Sequence, residues 1–321
     1  MEALFHSITH RPYVLMFLAA FLTLGWMEQG RLRTVIWLVS GYLVAFVAEA
    51  LSIRPDWAIP FGHYVYDEAV LSEDLLIAGV PLFDSLSFAF LSYVSFSFAQ
   101  FFLSPLWWPG AGRLDVQRVT SPEVRQGWAT LFLGAALMTL LDVVIDPLSH
   151  LGEHWFLGRI YHYPSPGYHF DIPLANYAGW FVVGGGIIFV NQRVDELLSR
   201  RERGVGRPLE LPRVAGKGLF APLFWAAIMG FGLSLIAWLG WWYEPAAGVS
   251  FDALEVRELF MASCFVAGPV LLLAAVQLVK PANRAREDEI RAGSGGSPRE
   301  RLRAAPSADG TGSPVAVGGG G

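Results

Sequence analysis

Seven apolar runs, each long enough to cross about 30 Å of hydrocarbon as a helix, dominate this chain of 321 residues. They cover roughly Tyr13–Glu28, Thr34–Ser52, Val80–Leu103, Trp128–Ser149, Leu174–Asn191, Leu219–Tyr243 and Leu259–Val279. Backbone in hydrocarbon must satisfy its own hydrogen bonds, so the runs predict an all-α fold: a polytopic integral membrane bundle of about seven transmembrane helices. Composition agrees, with 54% hydrophobic and only 16% charged residues, against about 25% charged in soluble domains. These values exclude an ordinary soluble enzyme and a disordered chain. A net charge of −5 leaves no electrostatic footprint for nucleic acid. The single cysteine, Cys264, makes neither an internal disulfide nor a cysteine-based zinc site.

The basic residues predict an orientation. Of the 23 Lys and Arg, only Arg11, Arg54, Arg159 and Arg257 fall on one side of the alternating connections; the other nineteen fall on the opposite side. By the positive-inside rule the nineteen are cytoplasmic, which puts the N-terminus outside and the C-terminus inside. The expected location is the cell's inner (plasma) membrane, as a multi-pass protein in contact with the lipid bilayer. The first run has no basic segment beyond Arg11 and no small-residue cleavage site after it, so it reads as a span rather than a cleaved leader. The chain divides into a transmembrane domain over 1–280 and a tail over 281–321. That tail is Gly-, Ser- and Pro-rich and is expected to be disordered and cytoplasmic.

Ionisable residues inside spans are costly and usually functional. Here they gather at one depth, near the predicted outer face. Glu49 lies about one turn from the end of the second span, Asp84 about one turn into the third, Asp142 and Asp146 in the outer half of the fourth, and Asn176 at the start of the fifth. Any one of them alone fits a helix cap or a local hydrogen bond. Four carboxylates and an amide from four helices point to a shared cavity. Glu28 is the only acid near the inner end of a span.

Asp142, Asp146, His150 and His154 follow at intervals of four, which on a helix lines one face, with Pro147 expected to kink it. This pattern suits polar residues lining a vestibule better than a metal site, because no second histidine pair and no His-Glu-x-x-His accompany it; no bound metal is expected. All seven histidines fall in the outer half, beside the aromatic segments Phe61-Gly-His-Tyr-Val-Tyr66 and Tyr161-His-Tyr-Pro-Ser-Pro-Gly-Tyr168. Such aromatics form either an interfacial belt or a lid of two long loops over the cavity. Gly184-Gly185-Gly186 has no lysine after it and reads as close helix packing. No dinucleotide fingerprint is present. Neither Lys217 nor Lys280 lies mid-span, so seven spans do not imply a retinal protein.

The motifs Glu49 with Phe61-Gly-x-Tyr-x-Tyr66, Gly79-Val-Pro81 with Asp84, Asp142-x-x-x-Asp-Pro147 and Asn176-x-x-Gly-Trp180 resemble those of a known family. It comprises membrane-integral carotenoid biosynthesis proteins and includes the lycopene and γ-carotene 1′,2′-hydratases and the bisanhydrobacterioruberin hydratase. The resemblance covers roughly residues 45–185. It implies redox-neutral addition of water to a terminal isoprenoid double bond, with no cofactor. The partners implied are a membrane-embedded carotenoid and water, and other carotenoid-pathway enzymes as neighbours. Such chemistry needs a proton donor, a setting for a tertiary cation, and a water. Carboxyls in a low-dielectric pocket hold protons, and a close pair resists double ionisation, which suits Asp142 and Asp146. Tyr64, Tyr66 and Trp180 would offer faces to the cation. Glu49, Asp84 or Asn176 would orient the water, with His150 and His154 lining the approach of the substrate. A cyclase that quenches the same cation with an internal double bond is the nearest alternative. A proton- or ion-coupled transporter is the next, and a plain binding or scaffold protein the last.

Overall fold

The computed structural model describes residues 2–109, 114–205, 211, 214–245 and 251–285. Its helices are α1 (Glu2–Thr9), α2 (Pro12–Ser52), α3 (Leu82–Leu103), α4 (Pro122–Arg125), α5 (Trp128–His150), α6 (Leu174–Val205), α7 (Phe220–Trp241) and α8 (Ala253–Val279). Six helices are long and apolar enough to span a membrane. The first of these, α2, is not one rod. Gly30 has φ 81° and ψ 166°, outside the helical region and open only to a residue without Cβ. In a straight helix, a rise of about 1.5 Å per residue would set Phe21 and Trp37 about 24 Å apart. Both instead pack on the ring of Tyr93, at 5.2 and 5.1 Å. Gly30 therefore folds α2 into a hairpin, whose legs hold the first two predicted spans. Seven apolar legs result.

α3 is the central helix: every residue from Phe88 to Phe101 is buried, with α2, α5 and α7 packed around it. α6 lies against α5 and α2, and α8 rests on α7. The glycine run is a packing feature at one position: a Cβ on Gly184 would sit 2.7 Å from Met138 Sδ, so a larger residue there would make the Met138 side chain on α5 shift. α6 continues well past the predicted end at Asn191. Its last turns are held from other elements, with Arg33 Nε donating to Asp195 at 2.8 Å and Arg33 Nη1 to Glu202 at 2.8 Å.

Pro147 is accommodated within α5. Proline has no N–H to offer the carbonyl four residues back. Nε2 of His169, from the following connection, lies 3.2 Å from that carbonyl, Val143 O, so the nitrogen carries the proton and donates.

Six two-residue strands decorate the ends: β1 (Val65–Tyr66), β2 (Leu76–Ile77), β3 (Val80–Pro81), β4 (Leu106–Trp107), β5 (Gln117–Arg118) and β6 (Tyr161–His162). β1 pairs antiparallel with β6, with Val65 opposite His162 and Tyr66 opposite Tyr161. This ribbon ties the 53–81 and 151–173 connections together over one end of the bundle, called here the capped end. α1 is tied to the same end. Arg11 makes a two-pronged pair with Asp74 at 2.6 and 2.9 Å, and Ser7 donates to Asp74 at 2.8 Å. At the opposite end the chain past α8 docks on β4, where Ala285 N donates to Leu106 O at 2.8 Å. The rest of the expected tail, 286–321, lies outside the described residues.

Candidate active site

The acids predicted at one depth meet under the ribbon. Glu49 stands three residues from the end of α2, Asp84 in the first turn of α3, Asp142 and Asp146 in the last half of α5, and Asn176 in the first turn of α6. They form two pairs. Glu49 accepts a short hydrogen bond from Ser85 and neighbours Asp84. Asp84 accepts from the Tyr66 hydroxyl at 2.6 Å. In the second pair Asn176 Nδ2 donates to Asp142 at 2.8 Å and to Asp146 at 2.5 Å. One amide thus holds both carboxyls in register. Asp142 Oδ1 is buried without a hydrogen-bond partner among the described residues.

A small cavity of about 40 Å³ lies between the pairs. Its lining combines polar Glu49, Asp84, Asp146 and Asn176 with aromatic Phe61, Phe88 and Trp180. Phe88 and Trp180 stack at 4.3 Å, and Phe61 leans on Phe88 at 5.7 Å. Each sits one helical turn from a polar wall residue, Phe88 from Asp84 and Trp180 from Asn176, which sets the aromatic floor below the acids. Asp142 lies behind the wall. No basic residue lines the cavity among the described residues. Arg11, whose charge reaches Asp84, is already bound to Asp74.

Four tyrosines in and beside the ribbon stand over the cavity. Tyr64, Tyr161 and Tyr163 line it, and Tyr66 packs edge-on to Tyr64 at 5.2 Å. The Tyr64 and Tyr66 hydroxyls lie 3.3 Å apart. The Tyr161 hydroxyl meets Ser149 at 3.0 Å and interacts with Asp146. Burial pushes the Tyr64, Tyr66 and Tyr161 phenols well above their usual range, and the neighbouring acids add to it. These groups stay neutral and keep a hydroxyl to donate.

Of the residues singled out in the sequence, Glu49, Asp84, Asp142, Asp146, Asn176, Tyr64, Tyr66 and Trp180 come together. His150 and His154 do not line the cavity. His150 backs the tyrosines, 5.2 Å from the Tyr161 ring. His154 leaves the helical face because α5 ends at His150 and a 3₁₀ turn follows; it packs on Phe251 at 4.9 Å. The interval of four thus breaks at its last step. Among the described residues no three His, Cys, Asp or Glu side chains are grouped to hold a metal ion. Phe61, Phe88, Tyr161 and Tyr163 were not picked out as site residues. The signal for the tyrosines was present: Tyr-x-Tyr occurs in both connections, at 64–66 and at 161–163, and alternation of this kind marks a strand. For Phe88 the signal is its place one turn after Asp84.

The sequence model of a family described as carotenoid biosynthesis protein matches residues 10–250, which include every residue of the cavity. No curated protein and no solved structure matches the chain.

Proposed function

The chain belongs to the carotenoid biosynthesis protein family, and from that premise we propose that it adds water across the terminal 1′,2′ double bond of an acyclic carotenoid end of the lycopene or γ-carotene type. The observation that carries this reading is the cavity itself: three carboxyls, Glu49, Asp84 and Asp146, line it beside aromatic faces, with no basic residue in the lining among the described residues, and Asp142 stands behind them, tied to Asp146 through Asn176. A general acid must hold its proton, and two carboxyls one turn apart resist being ionised together. In this reading Asp146, which faces the cavity, protonates C2′ of the alkene. The π electrons form the new C–H bond and leave a tertiary cation at C1′. Trp180, Phe88 and Phe61 present ring faces to that cation. A water positioned by Glu49 and Asp84 attacks C1′ and gives its proton to that pair, leaving the tertiary alcohol. Asn176 holds Asp146 aimed at the alkene. No electrons are gained or lost overall.

The polar part of the lining favours capture by water over capture by an internal double bond, so hydration is preferred to cyclisation. An ion path would need acids available along the bundle, whereas Glu28 at the opposite end is paired with Arg118 at 3.2 Å. The test is product analysis in cells that make lycopene. The protein should convert it to a more polar pigment heavier by one water; cyclised pigment of unchanged mass would support the cyclase, and unchanged lycopene from verified membrane protein would remove both.

The same reading puts the protein in the cell's inner membrane, with the capped end outside and the C-terminus cytoplasmic, on the strength of the basic-residue bias. A reporter fused after Lys280 should be active in the cytoplasm and one inserted near Val70 only outside. The reverse pattern would overturn this orientation.

A further inference from the structure

The β1–β6 ribbon sets Tyr66 directly opposite Tyr161. The Tyr66 hydroxyl donates to Asp84 at 2.6 Å, while the Tyr161 hydroxyl interacts with Asp146. Tyr66 thus meets an acid of one pair directly, and Tyr161, whose hydroxyl lies 3.0 Å from that of Ser149, stands near an acid of the other. Tyr64 stands between them. Its hydroxyl is 3.3 Å from that of Tyr66, and its ring meets Tyr161 edge-on at 5.6 Å. All three are buried, with Tyr66 only 8% exposed.

Hydration, as read above, displaces a proton within this site. Asp146 loses one when the C2′–H bond forms. The Glu49–Asp84 pair gains one when the captured water becomes a hydroxyl. The overall reaction neither releases nor consumes protons, so a second turnover requires that proton to travel back to Asp146.

Resting on the hydration reading, we propose that Tyr66, Tyr64 and Tyr161 form a hydroxyl relay that returns the proton from Asp84 to Asp146 inside the site. Asp84 gives its proton to the Tyr66 oxygen as Tyr66 passes its own to Tyr64. A water in the cavity carries the next proton from Tyr64 to Tyr161, and Tyr161 reloads Asp146. Each O–H bond broken is matched by one formed, no charge accumulates, and no oxidant or reductant takes part. The tyrosines touch no reacting carbon; they act through the acids. The pairing of the two connections then has a chemical purpose besides tying them together.

The test separates the first turnover from those that follow. Full-length protein in proteoliposomes is mixed with lycopene, either with protein in excess or with carotenoid in excess, as wild type, Tyr66→Phe, Tyr161→Phe and the double variant. Each change removes one hydroxyl and keeps the ring. First-turnover rates should fall much less than steady-state rates, because the acid starts loaded. Steady-state rates should fall about a hundredfold or more, within the span that proton transfer contributes to enzymes. The double variant should be no slower than the slower single, since both changes interrupt one path. Tyr64→Phe should show the same split without touching either acid, and serves if another variant fails to accumulate. First-turnover rates that fall in step with steady state, unchanged steady-state rates, or losses that multiply in the double variant would overturn the relay. A wild-type protein that yields no hydrated product would overturn hydration itself, a result distinct from any of these.

Discussion

At the end of the bundle away from the cavity, Glu28 accepts from Ser97 at 2.5 Å, from Tyr93 at 3.0 Å and from Arg118 at 3.2 Å. Asp195 there lies between Arg33 and Arg125, each at 2.8 Å, with Gln126 adding a bond at 2.7 Å. At the capped end Glu49, Asp84, Asp142 and Asp146 meet hydroxyls, one amide and one another, with no ion pair among the described residues. Both ends bury carboxyls in the same bundle, so burial alone does not distinguish them. The partners do. An acid matched to arginine is fixed as an anion, and its removal strands a buried cation. An acid matched to a hydroxyl or an amide is free to exchange a proton. On the reading proposed above, the arginine-paired acids of the opposite end hold helices together, and Glu49, Asp84, Asp142 and Asp146 are the acids available for chemistry.

This contrast is breakable at several points, and the largest effect belongs to the cavity. Asp146→Asn keeps size and polarity and removes the transferable proton. Hydration per folded molecule should fall by about 10²–10⁴-fold, the contribution of a general acid, while the protein level in membranes stays near wild type. Asp142→Asn, behind the wall, should lose less. A pair of variants that both accumulate and both retain near-full activity would make these acids structural, like those of the opposite end.

The converse experiment targets Arg33, 6% exposed and bound to Asp195 and Glu202. Arg33→Ala should reduce stability by about 3–5 kcal/mol, the cost of breaking a buried pair, measured as detergent or thermal resistance of the purified protein. Hydration per folded molecule should not change. Loss of turnover in correctly folded protein would join the two ends functionally and blur the distinction.

A smaller effect is expected at His169. Its bond to Val143 O replaces the one that Pro147 cannot make. His169→Ala should destabilise the protein by about 1–3 kcal/mol, the cost of leaving a buried polar group unpaired. Activity should fall only modestly, through looser placement of Asp146 one residue before the proline. Unchanged thermal stability would mean that another group serves the Val143 carbonyl.

Much of this was legible in the sequence, and the limits have physical causes. Apolar runs long enough to cross hydrocarbon set the legs, and charges inside such runs are so costly that Glu49, Asp84, Asp142 and Asp146 stood out at once. The break between the first two legs was read from the polar stretch between Glu28 and Thr34, but Gly30 as the residue that makes the turn was not. What escaped depends on contacts distant in the chain. The length of α6 was underestimated because its final turns are polar and owe their order to Arg33 and Arg125 on other elements. The helical interval through His154 failed because nothing in the spacing tells where α5 stops. The union of Tyr66 with Tyr161 required a pairing of two connections that each look like interfacial aromatic loops when read singly.

The claim that the capped-end acids deliver a proton to carbon is tested most directly by isotope. Lycopene is given to the wild-type protein in membranes suspended in D₂O, and the product is examined by mass spectrometry and NMR after its exchangeable hydrogens are washed back to protium. The account requires a tertiary alcohol carrying one deuterium on the carbon next to the carbinol carbon, together with a hydroxyl derived from solvent. A hydrated product with no deuterium on that carbon, or deuterated pigment that has gained no oxygen, would contradict it.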